Sequence, residues 1–486
     1  MNEEIRALEP KQLWNNFADL NAVPRPSKKE ERVIEFMKSF GNRLGLETTV
    51  DEVGNVIIKK PASPGMEDRK TVVLQSHLDM VHQKNSDSDF DFDTQGIEMY
   101  VDGDWVKARG TTLGADNGLG VATIMAILES KEIEHPQLEA LFTIDEETGM
   151  TGAMGLKPGV LSGEILLNLD TEEDNEIGIG CAGGIDITAK GEYAEQKPEQ
   201  AGTAFEIKIK GLQGGHSGMD IIKGLGNANK LMNRILYRAA DLYAAQVAAI
   251  NGGGLRNAIP RESVATVVVG GIGMKDFLAG VQKEIEDIKN EFRNLEPRLE
   301  ISVSETALPA GVMGSDAQIK LLGCLYAAHN GVFRMSPEIE GLVETSNNIA
   351  KVEVANGKIE IKCLTRSSVE SSKMDLATAL RAAFELGGLS VQFSGAYPGW
   401  APDPNSEVVK LLDELYEKLN GEKADVAACH AGLECGIIGK NYPQMEMVSF
   451  GPTIRGAHSP DEKASISSAQ KYWEFVLEVL KNIPKR

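Results

Sequence analysis

Four short apolar runs in this chain have the length and character of buried β-strands. The runs cover residues 71–75, 138–143, 165–169 and 445–450. Helix-like apolar spacing lies among and after them, at residues 118–129 and 468–483. Apolar strands that alternate with helices are typical of an α/β protein with a mostly parallel, doubly wound sheet. We therefore predict such a sheet as the framework of a catalytic domain.

The N-terminal segment has a different pattern, with two helix-like stretches between residues 10 and 46. The stretches are separated by Pro24-Arg25-Pro26-Ser27, and Ser27 with Glu30 has the spacing of a capping box. This spacing predicts that Ser27 caps the second helix. Strand-like pieces follow at residues 47–51 and 55–59.

Between about residues 183 and 400 the chain changes to alternating strands and longer helices. The strand-like segments are residues 205–210, 263–269, 299–303 and 359–364, and the helix-like segments are residues 275–295 and 373–386. Alternation of apolar and polar positions is typical of a sheet with one covered face. We predict an inserted α+β lid domain at residues 187–399. The catalytic domain is then discontinuous and comprises residues 1–186 and 400–486.

Side chains that commonly bind metal ions follow the carboxyl ends of the four apolar runs. They are His77, Asp79, Glu146, Glu147, Asp170 and, in a loop after the last run, His458. Open α/β sheets place their ligands at this edge of the sheet. Each residue alone is more often a solvated surface group or a helix cap. Their repetition at corresponding strand exits favours a metal site that contains histidine and carboxylate ligands.

The spacing of these residues suggests that neighbouring side chains have different roles. Strand side chains alternate, so His77 and Asp79 lie on one side of the chain, and one can bind metal while the other orients it. The side chains of Glu146 and Glu147 diverge at a strand exit, which leaves one free as a general base. Asp116 lies in a glycine-rich turn before a helix, where it either bridges two cations or caps the helix.

Composition excludes several classes of partner. The chain has 50 basic and 72 acidic side chains, a formal net charge of −22, which disfavours nucleic acid and anionic membranes. The first residues lack the basic start and apolar core of a secretory signal, and no apolar run approaches the ~20 residues that span a bilayer. Five scattered cysteines without a CxxC pair indicate a reduced, cytoplasmic protein.

The motifs together resemble those of the aminoacylase/carboxypeptidase G/peptidase V/carnosinase family of co-catalytic zinc peptidases. The matching segments are Ser76-His77-Leu78-Asp79, Gly114-Ala115-Asp116-Asn117-Gly118, Asp145-Glu146-Glu147-Thr148-Gly149, Asn168-Leu169-Asp170-Thr171-Glu172, Gly214-Gly215-His216-Ser217, Arg256-Asn257-Ala258-Ile259-Pro260 and Gly456-Ala457-His458-Ser459. The likeness runs the whole length of the chain. Residues 108–114, 181–186, 395–400 and 430–436 resemble the subgroup of bacterial Xaa-His dipeptidases.

The resemblance implies an activity, a cofactor and a role for each site residue. The activity is the hydrolysis of Xaa-His and other unblocked dipeptides, with two Zn²⁺ per chain and Co²⁺ or Mn²⁺ as substitutes. The implied ligands are His77 and Asp170 for one zinc, Glu147 and His458 for the other, and Asp116 as the bridge. Asp79 would orient His77, and Glu146 would be the general base. The bond between Asp116 and Asn117 is expected to be cis.

Residues of the insert complete the implied mechanism. His216, brought in by the lid, would stabilise the oxyanion together with one zinc. Arg366 would bind the free C-terminal carboxylate of the substrate, since a guanidinium matches a carboxylate bidentately, and Asn257 would assist. A structural ion pair remains the alternative for Arg366.

Two other functions and two assemblies stay open. The first function is an N-acyl-amino-acid deacylase or a carboxypeptidase of the same fold. The second is a metal- or peptide-binding protein on a peptidase scaffold, which would typically lack the base that Glu146 supplies. The long insert leaves monomer and dimer open, and the resemblance favours a homodimer.

Overall fold

The chain divides into two compact units in the computed structural model, which describes residues 2–198, 201–271 and 273–486. Unit 1 consists of Met1–Gly180, Pro402–Ala428 and Leu433–Arg486. Unit 2 consists of Cys181–Ala401 and Cys429–Gly432. Unit 1 is therefore discontinuous in sequence.

The first part of unit 1 alternates helices and strands. Its helices are α1 (Glu3–Arg6), α2 (Lys11–Leu20), α3 (Glu31–Arg43), α4 (Ala115–Glu129) and α5 (Thr151–Gly155). Its strands are β1 (Glu47–Val50), β2 (Val56–Lys60), β3 (Val72–His77), β4 (Met99–Asp102), β5 (Trp105–Ala108), β6 (Leu138–Thr143), β7 (Ile165–Asn168) and β8 (Glu176–Cys181). Every residue of β3, β6 and β7 is buried, which confirms the three apolar runs as core strands.

Unit 2 contains the long antiparallel strands. They are β9 (Gly183–Glu192), β10 (Glu195–Gln196), β11 (Thr203–Lys210), β12 (Gly215–His216), β13 (Gln246–Gly253), β14 (Ala258–Ile259), β15 (Ser263–Val269), β16 (Glu300–Thr306), β17 (Val312–Met313), β18 (Gly331–Met335), β19 (Val343–Ala355), β20 (Lys358–Ser367) and β21 (Ser390–Tyr397). The helices are α6 (Ala228–Tyr243), α7 (Met274–Phe292), α8 (Ser315–Ala327) and α9 (Glu370–Leu386), with a 3-10 turn at Ile221–Lys223.

One large sheet organises unit 2, in the order β16-β11-β15-β13-β19-β20-β9-β21, with β18 beside β19. Alternate residues of its strands share a single core with the apolar sides of α6, α7, α8 and α9. Phe205 and Ile207 on β11, for example, belong to the same core as Met232 on α6 and Phe277 on α7. This confirms the α+β character that alternation predicts for the insert.

The chain then completes unit 1. The elements are α10 (Glu407–Asn420), β22 (Asp425–Cys429), α11 (Glu434–Asn441), β23 (Glu446–Ser449), β24 (Ile454–Arg455), β25 (Lys463–Ser465) and α12 (Ile466–Asn482). The predicted strand and closing helix correspond to β23 and α12. Among the helices in the described ranges, none has the length and apolar content needed to cross a membrane.

The main sheet of unit 1 has eight strands in the order β1-β2-β6-β3-β7-β23-β8-β22. The α/β class is confirmed, and parallel pairing is found among the four central strands β6, β3, β7 and β23. On the two sides of this core, β2 pairs antiparallel with β6 and β8 pairs antiparallel with β23. The pairing of β1 with β2 must be antiparallel, because the connection at residues 51–55 is too short for a crossover.

The predicted capping box at Ser27 is wrong. Helix α3 begins at Glu31, and its N-cap residue Glu30 makes no side-chain capping hydrogen bond. The Ser27 hydroxyl instead donates to Asp79 Oδ2 at 2.8 Å. The Ser27 side chain therefore binds a candidate site residue, a contact that the spacing of residues along the sequence does not reveal.

Candidate active site

Five side chains of unit 1 form two groups of three that share Asp116. His77 and Asp170 complete one group, and Glu147 and His458 complete the other; within each group the candidate ligand atoms lie within 4.8 Å of one another. Asp116 Oδ1 lies 3.1 Å from His77 Nε2, and Asp116 Oδ2 lies 3.2 Å from His458 Nε2. Each oxygen of Asp116 thus faces a different group, as in a carboxylate that bridges two cations.

The parallel strands bring these residues to one edge of the sheet. His77 is the last residue of β3, Asp170 follows β7, and Glu147 follows β6. His458 lies in the loop between β24 and β25 and has a positive φ of 66°. The structure therefore brings together all five residues that the sequence suggests as ligands.

Asp116 is presented by an irregular first turn of α4. The bond between Asp116 and Asn117 is cis, as the family resemblance implies. Both residues have non-helical φ and ψ angles, so regular helix begins at Gly118, the predicted start. Gly114, which precedes the turn, has a φ of 70°, a conformation that favours glycine.

Asp79 connects His77 with the acidic pair that follows β6. His77 Nδ1 lies 3.1 Å from the Asp79 carbonyl oxygen and 3.3 Å from Asp79 Oδ1. The Asp79 carboxylate also accepts the backbone N–H groups of Glu146 and Glu147, at 3.0 and 3.3 Å. The Asp79 side chain therefore fixes both the imidazole ring of His77 and the turn that carries Glu146 and Glu147.

The site carries more negative than positive charge. Hydrogen bonds that the His458 ring donates to Asp116 and Glu147 raise the pKa of His458 to about 11. Burial lowers the pKa of His77, but Asp170 and Asp116 raise it well above its usual value. Among the described residues, no hydrogen-bond donor reaches the buried Glu147 Oε1. A carboxylate-rich site with two imidazoles fits zinc, which binds nitrogen and oxygen ligands.

Glu146 lies beside the two groups without being needed for either. Its carboxylate forms a third close grouping with His77 and Glu147. Burial raises the pKa of Glu146 well above its usual value. The carboxylates of Asp170, Glu434 and Glu147 raise this pKa further, whereas His77 lowers it. Since both groups of three are complete, the Glu146 carboxylate is available to accept a proton.

Glu434 is a buried carboxyl that the sequence analysis missed as part of the site. Its Oε2 accepts hydrogen bonds from Gln75 Nε2 at 2.7 Å and from Thr143 Oγ1 at 2.6 Å. It thereby joins the exits of β3 and β6. Burial raises the pKa of Glu434 to about 7. The available signal was a polar glutamine and a polar threonine at the carboxyl ends of two apolar runs, in β3 and β6.

In unit 2, Arg366 is almost fully buried, and its guanidinium donates hydrogen bonds to two hydroxyl groups. Arg366 Nε donates to Ser217 Oγ at 3.3 Å, and Nη1 donates to Tyr397 Oη at 2.9 Å. Within the described ranges, Arg366 forms no salt bridge, so the alternative of a structural ion pair is not observed. The guanidinium therefore keeps donors for an anionic group.

His216, also in unit 2, has its ring proton placed by the backbone. His216 Nδ1 accepts the N–H groups of Gly218 at 3.2 Å and Met219 at 3.1 Å, so the neutral ring carries its proton on Nε2. Burial and Arg366 lower the pKa of His216, which favours this neutral form. Asn257 is an exposed neighbour whose carbonyl accepts the N–H of Ser217 at 2.8 Å.

Comparisons with known proteins match most of the chain or nearly all of it. Residues 73–482 match the sequence profile of peptidase family M20/M25/M40. The chain is 44% identical over 483 residues to the cytosol non-specific dipeptidase of Escherichia coli K12, covering 99% of this chain and 100% of the relative.

Solved structures of peptidases are also similar to this chain over nearly its whole length. The aminoacylhistidine dipeptidase of Vibrio alginolyticus superposes with a TM-score of 0.94 at 44% identity, covering 100% of this chain and 99% of that one. The aminopeptidase PepT of Bacillus cereus has a TM-score of 0.58 at 16% identity, covering 98% and 99%, and shares the fold. The likenesses extend over both units and thus over every candidate residue.

Proposed function

Because the chain belongs to peptidase family M20/M25/M40, we propose that it is a two-metal dipeptidase that hydrolyses Xaa-His and other unblocked dipeptides. The observation that carries the two-metal part is the Asp116 carboxylate, whose two oxygens face separate ligand groups. The substrate class is supported by the relatives, whose names describe a non-specific dipeptidase and an aminoacylhistidine dipeptidase. The former name also supports a cytosolic location.

The proposed metals are two Zn²⁺ ions, with Co²⁺ or Mn²⁺ as substitutes that accept the same ligands. His77 and Asp170 would hold one ion, Glu147 and His458 would hold the other, and Asp116 would bridge them. When bound, such ions polarise the scissile carbonyl and lower the pKa of a nucleophilic water.

Glu146 carries the proton in this proposal. It accepts a proton from the water as the new C–O bond forms, and it passes that proton to the amine nitrogen as the C–N bond breaks. Asp79 keeps Glu146 in place through the backbone N–H of Glu146. The support for Glu146 as the base is that both ligand groups are complete without it.

Residues of unit 2 would bind and polarise the dipeptide. The Nε2–H group of His216 would donate a hydrogen bond to the carbonyl oxygen as that oxygen gains negative charge. Arg366 pairs with the substrate carboxylate, and Asn257 assists in binding. Support for Arg366 comes from its burial and from its neutral partners, Ser217 and Tyr397.

The substrate proposal predicts a clear order of hydrolysis rates. We expect Xaa-His dipeptides to be cleaved fastest, other unblocked dipeptides more slowly, and tripeptides and N-acetyl amino acids much more slowly. The measurement is turnover on such a panel, with metal content determined on the same preparation. Faster release of acetate from N-acetyl amino acids would identify a deacylase instead.

Replacing His216 with alanine is expected to lower kcat by about 10²–10³-fold, because the developing oxyanion loses a hydrogen-bond donor. Bound zinc should stay at two ions per chain, since His216 belongs to neither ligand group. His329→Ala is the matched control, because His329 is a partly buried histidine of the same unit. Unchanged kcat in His216→Ala would rule out the proposed donor role.

The homodimer stays a prediction. Unit 2 is the part of the chain that the family resemblance connects with dimer formation. Light scattering on the purified protein would give a mass of about 52.5 kDa for a monomer and twice that for a dimer.

A further inference from the structure

Glu462 binds the backbone of the turn that carries Asp116. Its Oε2 accepts the N–H groups of Leu113 at 2.7 Å and Gly114 at 2.9 Å. Its Oε1 accepts those of Ala115 at 2.8 Å and Asp116 at 3.2 Å. The carboxylate is almost fully buried and satisfies four consecutive backbone donors, which include the first amides of α4.

Arg25 binds the same turn through its carbonyl groups. Its Nη2 donates to the carbonyl of Gly114 at 2.6 Å and to Asn21 Oδ1 at 3.0 Å. Its Nη1 donates to the carbonyls of Leu78 and Asp79, each at 3.1 Å. One fully buried guanidinium thus connects the turn of Asp116 with the segment that directly follows His77.

The two glycines of the Asp116 motif are explained by Arg25. A Cβ atom placed on Gly114 would lie 2.6 Å from Arg25 Nη2, and one placed on Gly118 would lie at the same distance. Any larger residue at either position would displace the guanidinium. The side chain of Asn21 strengthens the arrangement, since its Nδ2 donates to the Leu113 carbonyl at 2.9 Å.

The free-energy cost of this arrangement argues against a role in stability alone. Both charged side chains are removed from water, and neither forms a salt bridge with the other among the described residues. Replacing buried ionic groups with apolar ones of similar size is often neutral or stabilising. What this pair provides instead is a fixed position for two segments that carry candidate metal ligands.

We propose that Arg25 and Glu462 are positioning residues, a clamp that holds the Asp116 turn in the bridging geometry before metal binds. They act through backbone hydrogen bonds and contact neither metal nor substrate. This inference rests on the proposed two-metal function. Partners that orient metal ligands commonly change metal affinity by 10–100-fold, which sets the expected size of the effect.

The test is Glu462→Gln, which keeps the shape of the side chain but leaves it unable to accept four N–H groups. We expect zinc affinity, measured by competition with a fluorescent chelator on metal-free protein, to fall by about 10–100-fold. Excess zinc should restore much of kcat. Glu284→Gln is the matched control, because Glu284 is a buried carboxylate of unit 2 that pairs with Arg234 at 2.5 Å. Its zinc affinity should equal that of the wild type.

Arg25→Lys decides the question if Glu462→Gln fails to fold. Lysine keeps the charge but cannot reach both Leu78 and Gly114, so zinc affinity should again fall while circular dichroism stays unchanged. Wild-type zinc affinity in a folded Glu462→Gln or Arg25→Lys protein would overturn the clamp. Wild-type protein that binds fewer than two zinc ions would overturn the proposed function itself.

Discussion

Replacing Glu146 with glutamine is expected to lower kcat by about 10²–10⁴-fold, the usual contribution of a general base. Glutamine has nearly the same shape but cannot take up the proton of the attacking water. The fold and the two bound zinc ions should remain, because both ligand groups exclude Glu146. Steady-state hydrolysis of an Xaa-His dipeptide, with metal analysis of the same sample, measures both quantities.

Two further variants make this result specific to Glu146. Glu147→Gln should lower zinc content as well as kcat, because Glu147 belongs to the ligand group with Asp116 and His458. Glu52→Gln should change neither, since Glu52 is an exposed residue that pairs with Lys157. If Glu146→Gln hydrolyses dipeptides at nearly the wild-type rate, Glu146 is not the base.

Much of the fold could be predicted because burial leaves a local pattern in the sequence. A strand covered on both faces contains a continuous apolar run, as in β3, β6 and β7, and a strand covered on one face alternates, as in β11. Pairing between distant strands leaves no such pattern. The four-stranded sheet β24-β25-β5-β4 was therefore missed, as was the antiparallel pairing of β2 and β8 with the parallel core.

The candidate site also contains residues that the sequence predicts and residues that it does not. Three of its candidate ligands, His77, Glu147 and Asp170, lie at the ends of parallel strands, so the topology of the sheet predicts that they meet. Arg25 and Glu462 were missed because a charged residue in a loop normally lies in solvent. Their burial depends on carbonyl and amide groups supplied by segments far away in sequence. Sequence patterns thus suggest which side chains act, whereas the structure is needed to find what holds them.

Replacing Asp116 with asparagine should have the largest effect on metal binding and activity together. Asparagine keeps the size of the side chain but removes the charge that both ligand groups share. We expect bound zinc to fall from two ions to one or fewer per chain, and kcat to fall by about 10³-fold, since a bound metal contributes several kcal/mol to catalysis. Elemental analysis and dipeptide turnover measure these changes.

Removing the metals from the wild type tests the same site without a mutation. Chelated protein should lose activity, regain it with Zn²⁺, Co²⁺ or Mn²⁺, and unfold at a lower temperature, because ions that bind only the folded chain stabilise it. Asp116→Asn should show little thermal gain from added zinc, while the control Asp19→Asn, at an exposed residue paired with Arg6, should behave like the wild type. Asp116→Asn protein that retained two zinc ions would show that the bridge is not needed. Loss of metal in Asp116→Asn but not in Glu146→Gln would separate the bridging carboxylate from the base.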